Sequence, residues 1–288
     1  MEFPKDWQDF ELLDSGDGEK LERWGQYILR RPDPQAIWNK DNRVKEWNKS
    51  DMIYHRSNSG GGRWEVFSRM PSEWQIEYKS FTFNIKPTQF KHTGLFPEQA
   101  VNWEKLSNLI SKRKKVQKEI KVLNLFAYTG GATVACTAAG AQVTHIDASK
   151  GMTSIARQNI IDSGLDGRGS RFIVEDVLKF VERENRRGNK YSGIIMDPPA
   201  YGRGPTGQLW EIEKDLSLLV AQCVDIMEDP LFFLINAYAT SFSSTALENI
   251  LKDNINNLNI ESGEVGIKDT NRGYVLPAGL YGLAVSND

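Results

Sequence analysis

Cysteine, histidine and uninterrupted apolar stretches are all scarce in this chain, and each scarcity removes a class of protein. Two cysteines in 288 residues, Cys136 and Cys223, cannot build a disulfide framework or a cysteine-rich zinc site. The three histidines, His55, His92 and His145, do not form an H-x-x-x-H ligand spacing, so no metal is expected. No apolar run approaches the ~18 residues of a membrane-spanning helix. The amino terminus lacks the basic-then-apolar order of a secretion signal, so a cytoplasmic, reducing location without membrane attachment is expected. Surplus charge is also missing. Lys and Arg number 36 against 38 Asp and Glu, a net charge of −2, which excludes a uniformly basic surface. The turn after the 122–126 run lacks the early glycines of a G-x-G-x-x-G fingerprint, with Phe126 and Tyr128 in that region, and no G-x-x-x-x-G-K-[ST] run occurs, which argues against a nicotinamide enzyme and a P-loop nucleotidase. The remaining composition, 40% hydrophobic and 26% charged, is that of a globular chain long enough for two domains, or for one large α/β domain with an extension.

Tryptophan divides the chain. Trp7, Trp24, Trp38, Trp47, Trp64 and Trp74 precede residue 75, and only Trp103 and Trp210 follow. Turn signals at 15–18, 31–34 and 57–62 separate short aromatic and aliphatic segments, and 63–70 and 76–85 alternate as strands do. Residues 1–85 therefore read as a small, mainly β domain, with an unpaired β extension as the alternative. From Lys121 onward, short aliphatic runs (122–126, 142–147, 171–175, 191–196, 231–236) alternate with helix-length amphipathic stretches (132–139, 150–163, 177–187, 209–227). That alternation predicts an α/β architecture with a Rossmann-like, doubly wound parallel sheet whose ligands lie outside the carboxyl ends of the strands. Segments 259–267 and 279–286 are expected to close the sheet as two late strands.

The chemistry-bearing residues fall at predicted strand ends. Residues 122–131, VLNLFAYTGG, run from a buried strand into a glycine pair and a small-residue helix, an arrangement that admits a ligand close to backbone amides. Asp147 ends the second strand, where a carboxylate accepts from ribose hydroxyls. Glu175 and Asp176 end the third, where a carboxylate can accept from an adenine amine. Taken singly, each acid reads as a helix cap; the ordered set carries the inference. The fourth strand ends in Asp197-Pro198-Pro199-Ala200-Tyr201. Two prolines fix φ and remove donors, making a rigid turn that presents acceptors to a nucleophile with a proton to lose, and Tyr201 offers a ring face for a planar substrate. The plainer reading is a turn that ends a buried strand, with Tyr201 as packing.

These residues, in this order, resemble a class I S-adenosylmethionine-dependent methyltransferase. The sequence is similar in particular to the bacterial ribosomal-RNA large-subunit methyltransferase family, which carries a K-T-G-L/F-F-x-D-Q segment before the core. Here that stretch reads Lys91-His92-Thr93-Gly94-Leu95-Phe96-Pro97-Glu98-Gln99, with His92 inserted and Pro97 and Glu98 departing from the pattern. The resemblance covers about residues 86–288. It implies a seven-stranded sheet ending in an antiparallel hairpin, S-adenosyl-L-methionine as cofactor, ribosomal RNA as substrate, a segment at 86–103 that covers the cofactor through Thr93, Phe96 and Pro97, and a methyltransferase domain over 104–288. It implies that Phe126, Ala127, Tyr128, Thr129 and Gly130 line the methionine and ribose. Asp147 would hold the ribose hydroxyls with Ala148 and Ser149 beside the adenine, Asp176 and Val177 would meet the adenine, and Asp197 and Pro198 would flank the transferred methyl, with Tyr201 against the acceptor. Relatives that methylate cytosine carbon 5 need a cysteine nucleophile after the fifth strand or beside the fourth-strand motif. This chain has Asn236-Ala237-Tyr238-Ala239-Thr240-Ser241 after the fifth and Ala200 in the fourth position of D-P-P-F/Y/W. Methylation of a base nitrogen is therefore expected, with a protein amide or small metabolite as the alternative acceptor.

Residues 111–121 hold six basic residues and one acid, and 183–190 hold four and one, while the first 22 residues hold eight acids and two lysines. The basic runs are candidates for phosphate contacts, or are solvated helix ends. Residues 202–207, with Arg203, read as a lid or an ordinary connection. Trp210 reads as packing, and Arg272 and Gly273 as a late turn near the cleft. The tryptophan-rich region is expected to bind substrate or to pair two copies of the chain as a homodimer.

Overall fold

The computed structural model describes residues 1–57, 61–89, 91–203, 209–238 and 242–287, with the side chain of Arg203 not described. Expectations placed on the 204–207 run, on that side chain and on Ala239, Thr240 and Ser241 lie outside these residues. The chain forms two compact units, one comprising residues 2–100 with 266–278 and the other residues 101–265 with 279–288.

The first unit is a β structure. Strands β1 (Phe10–Gly16), β2 (Glu19–Trp24), β3 (Tyr27–Pro32), β4 (Met52–Arg56) and β5 (Gly62–Val66) form one sheet in chain order, antiparallel except where β4 runs parallel to β3. Strands β6 (Trp74–Tyr78) and β7 (Phe81–Ile85) make a separate hairpin. The alternation over 76–85 is therefore two strands with a turn at Lys79, whose φ is 54°. That stretch carries no glycine, asparagine or proline before Asn84 to mark the reversal. Buried side chains include Leu12, Leu21, Trp24, Leu29, Ile76, Phe83 and Ile85. Two carboxylates are buried among them. Glu22 takes two hydrogen bonds from Arg31, both at 2.7 Å. Burial opposes its charge, but Arg31 and Lys20 outweigh burial and hold its pKa below the ordinary value. Asp14 accepts from the Asp41 amide, the Trp47 indole and Arg272.

The second unit is the α/β layer structure that the alternation predicts. Helix α1 (Ala100–Arg113) precedes β8 (Lys121–Leu125), α2 (Gly131–Ala138), β9 (Gln142–Asp147), α3 (Lys150–Asp162), β10 (Arg171–Val174), α4 (Val177–Arg187) and β11 (Tyr191–Met196). There follow the short strands β12 (Tyr201–Arg203) and β13 (Leu209–Glu211), α5 (Ile212–Asp225), β14 (Met227–Ala237), α6 (Ser244–Asn254), β15 (Asn259–Lys268) and β16 (Val275–Val285). The seven-stranded order is β10-β9-β8-β11-β14-β16-β15, with β16 antiparallel to β14. The chain leaves β8 toward β9 on one side and returns to β11 on the other, so the switch point lies between β8 and β11. Strand β11 is buried along its whole length, as a central parallel strand should be. Alternate residues feed opposite cores. Ile194, Met196, Phe233 and Ile235 pack with Phe180, Leu216, Leu219 and Leu247, while Ile195, Phe232 and Leu234 pack with Leu106 and Ile110. No helix among the described residues is long and apolar enough to cross a membrane.

Where α5 was expected from residue 209, residues 209–211 instead pair with β12 as a second small hairpin. The two basic runs are placed by topology. Both occupy helix-to-strand connections, at the end of α1 before β8 and at the end of α4 before β11. In a parallel sheet those connections lie at the opposite edge from the strand-to-helix loops. The runs are thus remote from the strand ends where the acids gather.

Gly193, in β11, marks how close the layers sit: a Cβ there would meet the buried Phe232 ring at 2.5 Å. Gly193→Ala is expected to destabilise the fold by about 1–3 kcal/mol through overpacking, read as a lowered urea midpoint. A midpoint unchanged from the parent would contradict this packing.

Candidate active site at the strand ends

The loop after β8 is an unusual piece of backbone. Phe126 (φ 52°), Tyr128 (φ 51°) and Gly130 (φ 81°) are all left-handed, and two of the three are bulky aromatics. Such residues rarely adopt this region, and its occupation marks the turn as a candidate functional site. The loop is held from several sides. The Asp147 carboxylate accepts from the Tyr128 amide at 2.9 Å with one oxygen and from the Ser149 amide at 2.8 Å with the other. The Ala127 amide donates to the Ile146 carbonyl at 3.0 Å, and the Asn159 side chain in α3 donates to the Thr129 carbonyl at 2.8 Å. Beneath it, Asn124 donates to the Thr133 hydroxyl, which also meets His145 Nδ1, both at 3.0 Å. Burial pushes the His145 pKa down to about 3, so the ring is neutral and the network carries no charge. Close packing fixes the glycines. A Cβ on Gly130 would lie 2.9 Å from the Ala156 Cβ, and one on Gly131 would lie 2.4 Å from the Trp103 ring.

The other motif residues take their places along the same edge. Asp147 is half-buried, and burial holds its pKa above the ordinary value, with the Ser149 and Tyr128 amides pulling the other way. Ala148 and Ser149 are exposed, and Ser149 caps α3. Asp176 caps α4 by accepting from the Lys179 amide at 3.1 Å, and Val177 is buried in the core. Glu175 is paired with Arg183. Asp197 follows β11 directly, and its amide donates to the Leu125 carbonyl at 3.3 Å, so the acidic turn and the left-handed loop leave neighbouring strands side by side. Pro198 is buried, while Tyr201 is 56% exposed with its ring open to solvent. The half-buried Asp147 carboxylate and the glycine-containing turn at a helix amino terminus fit an adenosyl cofactor with an amino-acid tail.

Thr93, Phe96 and Pro97 belong to the other unit. There Thr93 is fully buried, and its hydroxyl has no hydrogen-bond partner among the described residues. The Pro97 carbonyl accepts from Trp7 at 3.0 Å. Burial, reinforced by Arg31 and Lys91, pushes the His92 pKa down to about 4. His55 pairs with Glu65. Arg272 does not present its charge to a substrate: its guanidinium is spent on Asp14 and on the Asn39 and Ser15 carbonyls. Both cysteines are fully buried, and burial pushes the Cys136 thiol up to about 12 and the Cys223 thiol higher still. Among the described residues no group of His, Cys, Asp or Glu is arranged to hold a metal ion. Sequence reasoning missed Asn124, Thr133 and Asn159, because a polar residue inside an apolar run or a helix has no motif of its own.

Asp147→Asn leaves one acceptor and turns an amide NH₂ against the other backbone N–H. The Tyr128 or Ser149 amide is expected to exchange with solvent about tenfold faster, since a buried donor left without its acceptor costs about 1–3 kcal/mol. Exchange at the parent rate for both amides would count against this clamp.

Residues 48–223 match the sequence model of the S-adenosylmethionine-dependent methyltransferases. Ribosomal RNA large subunit methyltransferase I of Klebsiella pneumoniae subsp. pneumoniae is 34% identical over 122 residues, covering 41% of this chain and 30% of the relative. The chain thus aligns with under a third of that relative's length. The S-adenosylmethionine-dependent methyltransferase from Agrobacterium tumefaciens superposes with a TM-score of 0.92 at 35% identity, over 98% of this chain and 92% of that one. A provisionally assigned S-adenosylmethionine-dependent methyltransferase from Streptococcus mutans shares the fold at a TM-score of 0.73 and 16% identity, over 98% of this chain and 76% of that one. With the strand-end acids, the left-handed loop and the sheet order already in place, these matches settle the family: the chain belongs to the S-adenosylmethionine-dependent methyltransferases.

Proposed function

We propose that this enzyme methylates a base nitrogen of RNA, most specifically ribosomal RNA, in the cytoplasm. The observation that carries the reading is the Asp197-Pro198-Pro199 turn, set by the Asp197–Leu125 hydrogen bond against the cofactor loop. S-adenosylmethionine, when bound, supplies a methyl group already activated on a sulfonium. What remains for the protein is to hold a nucleophile in line with that carbon and to receive its proton. Asp197 accepts a hydrogen bond from the amine and follows the departing proton, Pro198 shapes the rigid turn around it, and the open ring of Tyr201 stacks on the base. Phe126, Tyr128, Thr129 and Gly130 cradle the amino-acid tail and Asp147 takes the ribose hydroxyls. Attack by a ring carbon would need a thiolate to add to the base first. Both thiols are buried and hard to ionise, which favours nitrogen over carbon as the acceptor. The RNA substrate is supported by the relative's name and by the exposed aromatic face at Tyr201.

Labelled cofactor offered to RNA, protein and metabolite fractions is expected to label RNA, with ribosomal RNA dominant. Label confined to protein or metabolites would reject RNA. Asp197→Ala is expected to reduce turnover by about 10²–10⁴-fold. Binding of S-adenosylhomocysteine to that variant is expected to stay within a few-fold of the parent.

Acid should weaken cofactor binding early. Because the Asp147 pKa is raised, the group takes up a proton above the ordinary aspartate value of 3.8, and the protonated form loses an acceptor for the ribose hydroxyls. For stability the sign is opposite. The folded chain holds that proton more tightly than the unfolded chain, so this group's contribution is fully present below the unfolded-state pKa and fades as pH rises through the folded one. Titration calorimetry with S-adenosylhomocysteine should show affinity declining on acidification before the fold is lost. Affinity that stays flat until unfolding would remove Asp147 from the binding role.

A further inference from the structure

Two prolines create a mechanical problem at the acidic turn. Pro198 and Pro199 have no N–H, so the turn can be anchored only through the Asp197 amide, through side chains, or through its carbonyls. Strand β13 and the first residue of α5 each supply a donor that anchors a carbonyl of the turn. Trp210, in β13, donates its indole N–H to the Pro199 carbonyl at 2.7 Å, and the Ile212 amide donates to the Ala200 carbonyl at 3.1 Å. The hairpin register sets Trp210 opposite Gly202, and Trp210 is 6% exposed, while Tyr201 and Leu209 of the same hairpin are exposed. The same indole packs on Phe126, with ring centroids 5.1 Å apart and planes tilted by 52°. Phe126 is the first left-handed residue of the cofactor loop. One side chain therefore touches both halves of the site, gripping the proline turn by a hydrogen bond and the strained loop by its ring face.

We infer that Trp210 is a positioning residue for methyl transfer, fixing the Asp197–Pro199 turn against the Phe126–Gly130 loop so that acceptor and methyl meet in line. The inference rests on the functional reading above for the roles of Asp197 and the loop. The two contacts are separable. Phe126 contact needs a ring, and the Pro199 contact needs the N–H. Trp210→Phe keeps the first and removes the second; Trp210→Leu removes both.

The test uses the full chain and S-adenosylhomocysteine as the probe. For Trp210→Phe, affinity for S-adenosylhomocysteine is expected to stay within twofold of the parent, because the loop keeps its ring contact. The amides of Tyr201 and Gly202 are expected to exchange with solvent about tenfold faster, as the turn loses one of its two carbonyl anchors and the hairpin opens more readily. Turnover per bound cofactor site, measured on whichever fraction the parent labels, is expected to fall about tenfold with the acceptor KM little changed. For Trp210→Leu, cofactor affinity should fall as well. A side chain that merely packs would lower the melting temperature and leave turnover per cofactor site and the exchange of Tyr201 and Gly202 as in the parent; that result overturns the inference. Equal loss of cofactor affinity in the Phe and Leu variants also overturns it, since the two contacts would then not be separable. Exchange and affinity need no acceptor, so these readouts decide the role of Trp210 even where the parent fails to label RNA.

Discussion

Everything at the strand ends depends on one carboxylate bonded to two backbone amides. Asp147 uses one oxygen for Tyr128 and the other for Ser149, and so ties the loop after β8 to the turn after β9. Without that clamp, left-handed aromatics at 126 and 128 have little reason to persist, since each such residue costs about 1–2 kcal/mol. The support below is polar yet uncharged: Asn124, Thr133 and a neutral His145 form one hydrogen-bonded chain, and Asn159 holds the loop at Thr129. A charged support there would have to be desolvated and would compete with the two amides for Asp147. A neutral one rigidifies the loop without altering the field above it.

The two units solve their burial problems differently. The α/β unit fills both faces of its sheet with aliphatic and aromatic side chains drawn alternately from β11 and β14. The β unit buries charge. Glu22 with Arg31, and Asp14 with Arg272, are desolvated pairs completed by indole and backbone donors. Breaking such a pair costs about 3–5 kcal/mol, while its net stabilisation over an apolar core is small. What the pairs secure is arrangement. Asp14 joins β1 to the Asp41 turn, to Trp47 and to the tip between β15 and β16. That tip is accordingly a structural graft onto the β unit, and its arginine is committed.

Legibility followed from how local each signal is. Parallel central strands are buried on both faces, so they read as unbroken aliphatic runs, and β9 and β11 carry the boundaries their composition implied. The acids at 147, 176 and 197 were legible because a strand end followed by a helix is itself a local pattern. The β6–β7 reversal at Lys79 was not, because the residues from Tyr78 to Ser80 include no glycine, proline, asparagine or aspartate and the left-handed conformation there is imposed by pairing. Arg272 read only as part of a late turn near the cleft, because Asp14, which takes its guanidinium, lies 258 positions earlier in the chain. Trp210 reads as packing from its neighbours, and only the fold brings it to Pro199 and Phe126.

The charge at the strand ends also constrains what can enter. Asp147, Glu175, Asp176 and Asp197 all lie along that edge, with Arg183 already paired to Glu175. The two basic runs sit at the opposite edge, in the connections that lead into β8 and β11. An acidic rim attracts a sulfonium donor and repels phosphates. A nucleotide acceptor must then enter through its neutral, planar part, with its backbone held away from the strand ends. Enzymes that act on a base meet this condition by taking the base out of its stack and seating it against an aromatic face. In the reading proposed above, Tyr201, 56% exposed immediately after the proline turn, would supply that face, and the rigid turn would supply the alignment.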